Sequence, residues 1–216
     1  LFLLSVVPLT HVTADESDSW HDHVVISEVL ASASSASYNG TDWNGDGYIG
    51  SSSDQFIELW NPTDQPINIS NWVLDDIIGG GSPACTIGWD TELAPGARLA
   101  FFRDYTDIEL DYWDGDTVNL MDDQGNLVHT MTYPPEDSWW DVPYTLLENG
   151  SYWKNFDGPS PGTNEPMNWT GPSVGGNCYT VTDPNVMDEY VLTGRIVTMT
   201  SEAAFFNGGV LIQDGK

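Results

Sequence analysis

The stretch FIELWNPTDQPINISNWVLD, residues 56–75, does most to decide the fold class of this chain. Successive side chains of a β-strand point to opposite faces, so Ile57 and Leu59 share one face and their neighbours share the other. Residues 61–64, Asn-Pro-Thr-Asp, are typical of a tight turn, and apolar residues return at alternate positions from Ile67. The stretch therefore predicts two strands joined by a turn, each with an apolar face.

The same pattern recurs along much of the chain, and no long segment has helical periodicity. Short apolar and β-branched runs are separated by Gly, Pro, Asn and Asp, as in all-β domains. The predicted strands are His23–Leu30, Gln55–Asn61, Ile67–Leu74, Ala97–Phe102, Thr117–Asp122 and Leu127–Tyr133, with shorter ones near Tyr144–Leu147 and Ser151–Lys154. Two sheets packed face to face need a buried face on every strand. We therefore predict an immunoglobulin-like β-sandwich in which Ile57, Leu59 and Trp72 are buried.

The chain has 33 acidic residues against five basic ones, which gives a formal net charge of −28. Such a surface stays soluble through charge repulsion and attracts water and cations. It argues against direct nucleic-acid binding by the acidic sandwich, because DNA phosphates require Lys and Arg for neutralisation. Adaptation to salty water is the simplest interpretation, and the ten Trp residues argue against disorder.

The first residues indicate export. Residues 1–14, LFLLSVVPLTHVTA, are apolar and end in Val-Thr-Ala, which suits signal peptidase. We interpret them as the remnant of a secretory signal peptide, followed by a mobile mature N-terminus at 15–23. A core strand or a membrane span is the alternative, but a span needs roughly 20 apolar residues. No other segment could cross a membrane, so we expect a fragment of a secreted or cell-surface protein.

The C-terminal part predicts a second domain. The sandwich is expected to span residues 24–166, and a Pro-, Gly- and Asn-rich linker follows at 167–187. Hydrophobic alternation resumes at Tyr190–Met199 and Gly209–Gln213. Residues 188–216 are therefore interpreted as the start of a truncated β domain.

The sequence contains two cysteines, Cys85 and Cys178. An exported protein could pair them in a disulfide. Cys178 lies beyond the predicted end of the sandwich, however, so the sequence leaves the pairing open.

Four segments, in order, resemble the lamin-tail domain family. They are Val24–Leu30 (VVISEVL), Phe56–Asp75 with its FIELWNP and INISNWVLD motifs, Leu93–Asn126 with its LAPG, GDTVNL and DQGN motifs, and Pro159–Asn164 (PSPGTN). The resemblance implies an immunoglobulin-like, non-catalytic binding or structural module. Its ligand would be an unidentified surface, polymer or protein, and microbial domains of this kind are accessory parts of secreted enzymes and surface proteins.

The end of the chain carries a second resemblance. Tyr190–Lys216 is similar to the first strands of the OB-fold-like barrel found in secreted nucleases. Some secreted nucleases place a lamin-tail domain, an OB-like domain and a metal-dependent nuclease domain in that order. An alternative function is therefore the accessory N-terminal part of an extracellular nuclease or phosphoesterase whose catalytic domain lies beyond this fragment.

The sharpest chemical signal is DWNGDGYI, residues 42–49. Calcium takes six to eight oxygen ligands, and the predicted ligands are the side chains of Asp42, Asn44, Asp46 and Asp54 with the backbone carbonyl of Tyr48. The spacing is that of the first half of an EF-hand loop, although Ser53 stands where that loop has its last acidic residue. We predict a structural Ca²⁺ site. The alternative is an Asx-rich turn held by its own hydrogen bonds.

Two further signals are weaker. Gly158–Gly162, GPSPG, matches the G-x-S-x-G nucleophile motif, but that motif needs a free backbone N–H just after the serine, which Pro161 lacks. No catalytic residue is therefore predicted in this fragment. The aromatic pairs Trp139-Trp140 and Tyr152-Trp153 could stack on sugars or bases, although packing within the fold is the more common role.

Overall fold

The computed structural model describes residues 21–135, 140–162, 178–179, 189–196 and 205–213. The strands are β1 (Val25–Leu30), β2 (Phe56–Trp60), β3 (Ile67–Asn68), β4 (Val73–Asp75), β5 (Cys85–Ile87), β6 (Glu92–Leu93), β7 (Arg98–Phe102), β8 (Asp116–Met121), β9 (Leu127–Tyr133), β10 (Tyr144–Leu146), β11 (Tyr152–Lys154), β12 (Cys178–Tyr179), β13 (Glu189–Ile196) and β14 (Phe205–Gln213). The helical parts are a 3-10 turn at Ala36–Tyr38 and a short helix, α1 (Arg103–Thr106). Neither of these described helices has the length and apolar character to span a membrane.

Two five-stranded antiparallel sheets form an immunoglobulin-like β-sandwich, which confirms the predicted fold class. The first sheet has the strand order β11-β10-β1-β2-β7, and the second has the order β12-β5-β4-β8-β9. Strands β3 and β6 add a separate two-stranded ladder. The main apolar core contains residues of both sheets, including Ile57, Leu59 and Leu120. Trp72 is only partly buried, at the margin of this core.

The first sheet is covered on both faces. Leu30 of β1, Phe56 of β2 and Phe102 of β7 form a second apolar cluster together with Trp43 from the loop between β1 and β2. All six residues of β1 are buried as a result. This long loop therefore packs as part of the fold, and it carries the predicted metal ligands.

The chain divides into two compact units, Leu1–Tyr179 and Thr180–Lys216. In the second unit, β13 and β14 pair as an antiparallel hairpin. In the first unit, β12 pairs with β5, although β12 lies inside the segment for which the sequence predicts a linker. The predicted signal remnant lies outside the described residues.

The cysteine pairing that the sequence left open is resolved at Cys85. This residue is buried in β5 and is disulfide-bonded. Cys178 is the only other cysteine in the sequence, and its strand is the neighbour of β5. The structure therefore describes one half of a disulfide, at Cys85 in β5.

Candidate functional site

The loop between β1 and β2 folds back on its own polar side chains. The two carboxylate oxygens of Asp42 accept hydrogen bonds from the backbone N–H groups of Gly45 and Gly47, at 2.7 and 2.9 Å. Asn44 Oδ1 accepts the Asp46 N–H at 2.9 Å, and Asp46 Oδ1 accepts the Tyr48 N–H at 2.6 Å. The structure thus brings four of the five predicted metal ligands into one tight loop, through Asx-type hydrogen bonds.

Asp54, the fifth predicted ligand, lies beneath this loop and is fully buried. Its Oδ1 accepts the N–H groups of Trp43 at 2.7 Å and Asn44 at 3.2 Å, and its Oδ2 accepts the Gly50 N–H at 2.8 Å. Burial raises the pKa of Asp54, and the hydrogen bonds from these three backbone groups oppose that rise. Asp54 therefore holds the base of the loop.

Asp104 of α1 joins the acidic side chains of this loop. Burial raises the pKa of Asp104, and a side-chain hydrogen bond with Asp46 and the charge of that carboxyl raise it further. Burial raises the pKa of Tyr105, and the negative charges of Asp46, Asp104 and Asp42 raise it further. The sequence analysis missed Asp104 because the contact joins residues far apart in the chain, and no local spacing signals it.

As they stand, no three His, Cys, Asp or Glu side chains among the described residues are grouped so that they could hold a metal ion. A carboxylate has about four lone-pair sites, however, so an oxygen that accepts one N–H bond keeps capacity for a further partner. Asp42 and Asp46 retain that capacity toward solvent. The Ca²⁺ site therefore stays a prediction.

Ser160, the serine of the GPSPG motif, is buried at 2 % exposure. Its hydroxyl donates to Glu28 Oε2 at 2.5 Å, and its N–H donates to Glu28 Oε1 at 2.8 Å. Both polar groups of Ser160 are therefore directed to a core carboxyl group. This serine holds the GPSPG segment against the first sheet.

Glu28 belongs to a buried carboxyl pair that the sequence analysis missed. A β-bulge in β1 sets Glu28 directly opposite Glu58 of β2. Glu58 Oε1 accepts hydrogen bonds from Ser27 Oγ at 2.6 Å and Arg98 Nη1 at 2.8 Å, and its Oε2 accepts the Gly162 N–H at 2.7 Å. Three strands and the GPSPG segment therefore meet at these two carboxyl groups.

The two carboxyl groups differ in their partners. Burial raises the pKa of Glu28 to about 8, and the charge of Glu58 contributes to this rise. Burial also raises the pKa of Glu58, but the Arg98 guanidinium opposes that effect. Two carboxylates side by side in a dry site cannot both ionise without a large penalty. We therefore assign the charge to Glu58, opposite Arg98, and the shared proton to Glu28.

The family model of the lamin tail domain matches residues 18–135, which is more than half of the chain. The chain belongs to the lamin tail domain family. No curated protein and no solved structure matches it significantly. In this lamin tail domain the matched residues end just after β9, so the GPSPG segment clamped by Glu28 lies beyond them.

The surface of the lamin tail domain carries a cluster of aromatic rings. Tyr38 and Trp140 stack with ring centroids 6.3 Å apart, Tyr112 lies 5.4 Å from Trp140, and Trp113 lies 4.6 Å from Tyr112. We call these four residues the aromatic platform. Of the pair Trp139-Trp140 noted in the sequence, Trp140 belongs to the platform. Trp139 lies outside the described residues.

The other aromatic pair lies on β11. The Tyr152 hydroxyl donates to the Ile26 carbonyl of β1, which makes this residue part of the packing. Trp153 is 46 % exposed. It therefore provides a surface tryptophan outside the platform.

Proposed function

We propose that this lamin tail domain is a non-catalytic binding and structural module of an exported protein, stabilised by calcium. The observation that carries the non-catalytic part is the burial of Ser160, Glu28 and Glu58. These are the groups best suited to chemistry, and they are at most 2 % exposed and bonded to one another or to the backbone. The disulfide at Cys85 supports export, because disulfides persist in oxidising compartments.

The calcium proposal rests on the oxygens of the β1–β2 loop and on their charge. The side chains of Asp42, Asn44 and Asp46 and the carbonyl of Tyr48 would hold the ion, and Asp104 adds a carboxylate beside Asp46. Like charges this close repel each other, so a divalent cation would relieve the repulsion. Calcium suits the site better than magnesium, which requires a tighter octahedron and keeps its waters.

The test is the melting temperature of the full chain in calcium, in magnesium and in sodium at matched ionic strength. An ion that binds only the folded state stabilises it by about 2.7 kcal/mol at a hundredfold excess over Kd. We expect calcium to raise the melting temperature most, and we expect the Asp42→Ala/Asp46→Ala variant to lose that increase.

The matched control is Asp64→Ala/Asp123→Ala, which removes two exposed carboxylates from other turns. Its net charge equals that of the loop variant, so general screening of the acidic surface affects both variants alike. We expect the control to keep the calcium response. Equal responses in the two variants would show that the loop is an Asx turn and binds no calcium.

We also propose, as the alternative function, that the module is the accessory N-terminal part of an extracellular nuclease or phosphoesterase. The antiparallel β13–β14 hairpin supports this, because an OB-like barrel would begin with long paired strands. The test is the coding sequence downstream of Lys216. A following domain with clustered Asp, Asn, Glu and His residues would support the alternative, and its absence would contradict it.

A further inference from the structure

Three of the four rings of the aromatic platform are exposed. Tyr38 is 70 % exposed, Trp113 is 62 % exposed and Trp140 is 40 % exposed, while Tyr112 packs partly against the main core. The three exposed rings come from three separate loops, and they are joined in a chain in which Tyr38 contacts Trp140 while Trp140 and Trp113 both contact Tyr112. Clustered exposed apolar surface on a soluble domain marks an interaction site more often than scattered single residues do.

The charge beside the platform is negative. Asp111 and Asp114 flank the two aromatic residues between them, and both are exposed. Asp111 Oδ1 accepts the N–H groups of Trp113 at 2.8 Å and Asp114 at 3.0 Å, which fixes this carboxylate in the same turn as the rings. The platform therefore combines electron-rich ring faces with fixed anionic groups.

The basic side chains of the described sandwich contact other partners. Arg98 is paired with Glu58 and lies over the Trp60 ring at 4.6 Å, whereas Arg103 pairs with an exposed glutamate. Lys154 lies over the Tyr144 ring at 5.9 Å. Within residues 21–135 and 140–162, these three are the only Lys and Arg residues. The contact of Arg98 with Trp60 shows, within this same fold, the interaction that the platform rings could offer.

We infer that the aromatic platform is a docking site for a Lys- or Arg-bearing segment of a partner protein. The inference rests on the proposed binding role and gives it a location and a chemistry. Cations are attracted to the faces of Trp and Tyr rings, and Asp111 and Asp114 add charge complementarity. The same charges, together with the net charge of −28, repel nucleic acids and other anionic polymers.

The test is fluorescence anisotropy of a labelled Arg-Gly repeat peptide titrated with the full chain. We expect saturable binding that weakens as sodium chloride is raised. The Tyr38→Ala/Trp140→Ala variant should bind about tenfold more weakly, because two ring faces are lost. Trp153→Ala, which removes an exposed tryptophan elsewhere, should bind as the wild type does.

All three proteins have the same net charge, so general attraction of the peptide to the acidic surface is equal among them. Equal affinity of the wild type and the double variant would overturn the inference, as would the absence of peptide binding. A neutral oligosaccharide that binds in place of the peptide, and is lost in the double variant, would also overturn it. The calcium response does not involve the platform, so the double variant should keep it. Failure here is therefore distinguishable from failure of the calcium proposal.

Discussion

The buried pair Glu28 and Glu58 and the more accessible group Asp42, Asp46 and Asp104 are two acidic clusters with different environments, since Asp104 is exposed and the two loop aspartates are half-buried. Both place carboxyl groups next to each other. The buried pair has an arginine, two serine hydroxyls and backbone N–H groups as partners. Asp42 and Asp46 accept hydrogen bonds from loop backbone groups and from one amide side chain, and Asp46 also shares a side-chain hydrogen bond with Asp104.

The two clusters show that acidic groups in one domain can differ in role according to the partners that surround them. In the core, each carboxyl oxygen has its partner, and these bonds join β1, β2, β7 and the GPSPG segment. In the loop, half-buried carboxylates retain acceptor capacity and repel one another, which favours a cation from solvent. Substitutions in the two clusters test whether this contrast is real.

Arg98→Met should cause the largest loss of stability. It leaves the Glu58 charge buried without its cation, and breaking a buried ion pair in this way costs about 3–5 kcal/mol. Methionine keeps an apolar stem over the Trp60 ring, so the loss reports mainly on the charge. The measurement is the free energy of unfolding from denaturant titration.

Arg103→Met is the matched control. Arg103 pairs with Glu109 at 3.1 Å, and the Glu109 side chain is 67 % exposed. Exposed ion pairs contribute about 0–1 kcal/mol, so this variant should stay close to the wild type. Equal losses in the free energy of unfolding would show that the buried Glu58 carboxylate depends on its arginine no more than an exposed carboxylate does.

Asp54→Ala should cause the next largest loss. The substitution leaves three buried backbone N–H groups without their acceptor, and each unsatisfied group costs about 1–3 kcal/mol before the loop relaxes. We expect a net loss of about 2–3 kcal/mol in calcium-free buffer.

Asp46→Ala tests the upper part of the same loop. Asp46 accepts the exposed Tyr48 N–H, which water can satisfy, and its removal relieves repulsion with Asp104. The change in the free energy of unfolding should therefore lie within about 0.5 kcal/mol. If Asp46→Ala lowered the free energy of unfolding more than Asp54→Ala does, the loop would not divide into a structural base at Asp54 and proposed ion-binding residues above it.

Much of the fold could be predicted because strand patterns are local. The predicted bounds of β9 are those of the structure, and the predicted bounds of β2 and β7 differ from the structure by at most one residue at each end. The predicted strand at Ile67–Leu74 is interrupted, however, because Asn71 takes a left-handed conformation with φ of 65° and the Trp72 N–H donates to the Ile69 carbonyl. β5 and β6 were missed because three- and two-residue strands carry almost no periodicity.

The buried carboxyl pair could not be predicted in the same way. Its geometry depends on the β-bulge that sets Glu28 opposite Glu58, and on a contact with Ser160 across 132 positions of sequence. Alternation places Glu58 on the face opposite Ile57 and Leu59, but it does not show that this face is also covered. The loop at 42–54 could be singled out from the local spacing of its oxygen-bearing side chains, whereas Asp104 could not.

The last effect is expected on the slope of stability against pH, through Glu28, rather than on stability at a single pH. The pKa of Glu28 is raised from 4.5 to about 8, so between these values the folded chain holds a proton that the unfolded chain has released. This contribution is therefore fully present below the lower value and is lost as pH rises through the upper one. For one proton, the slope is at most about 1.4 kcal/mol per pH unit.

Glu28→Gln should remove this contribution, because the amide has the shape of a protonated carboxyl, does not titrate, and keeps one oxygen that can accept the Ser160 N–H. Raised pKa values at Asp54, Asp116 and Asp141 give the wild type a slope of the same sign at lower pH. The informative quantity is therefore the difference between wild type and variant in the free energy of unfolding, measured at steps from pH 5 to pH 9. The difference should change steadily up to about pH 8 and then become constant. A constant difference across the whole range would mean that Glu28 is ionised in the folded domain, and that the buried pair holds two charges with Arg98 as their only cation.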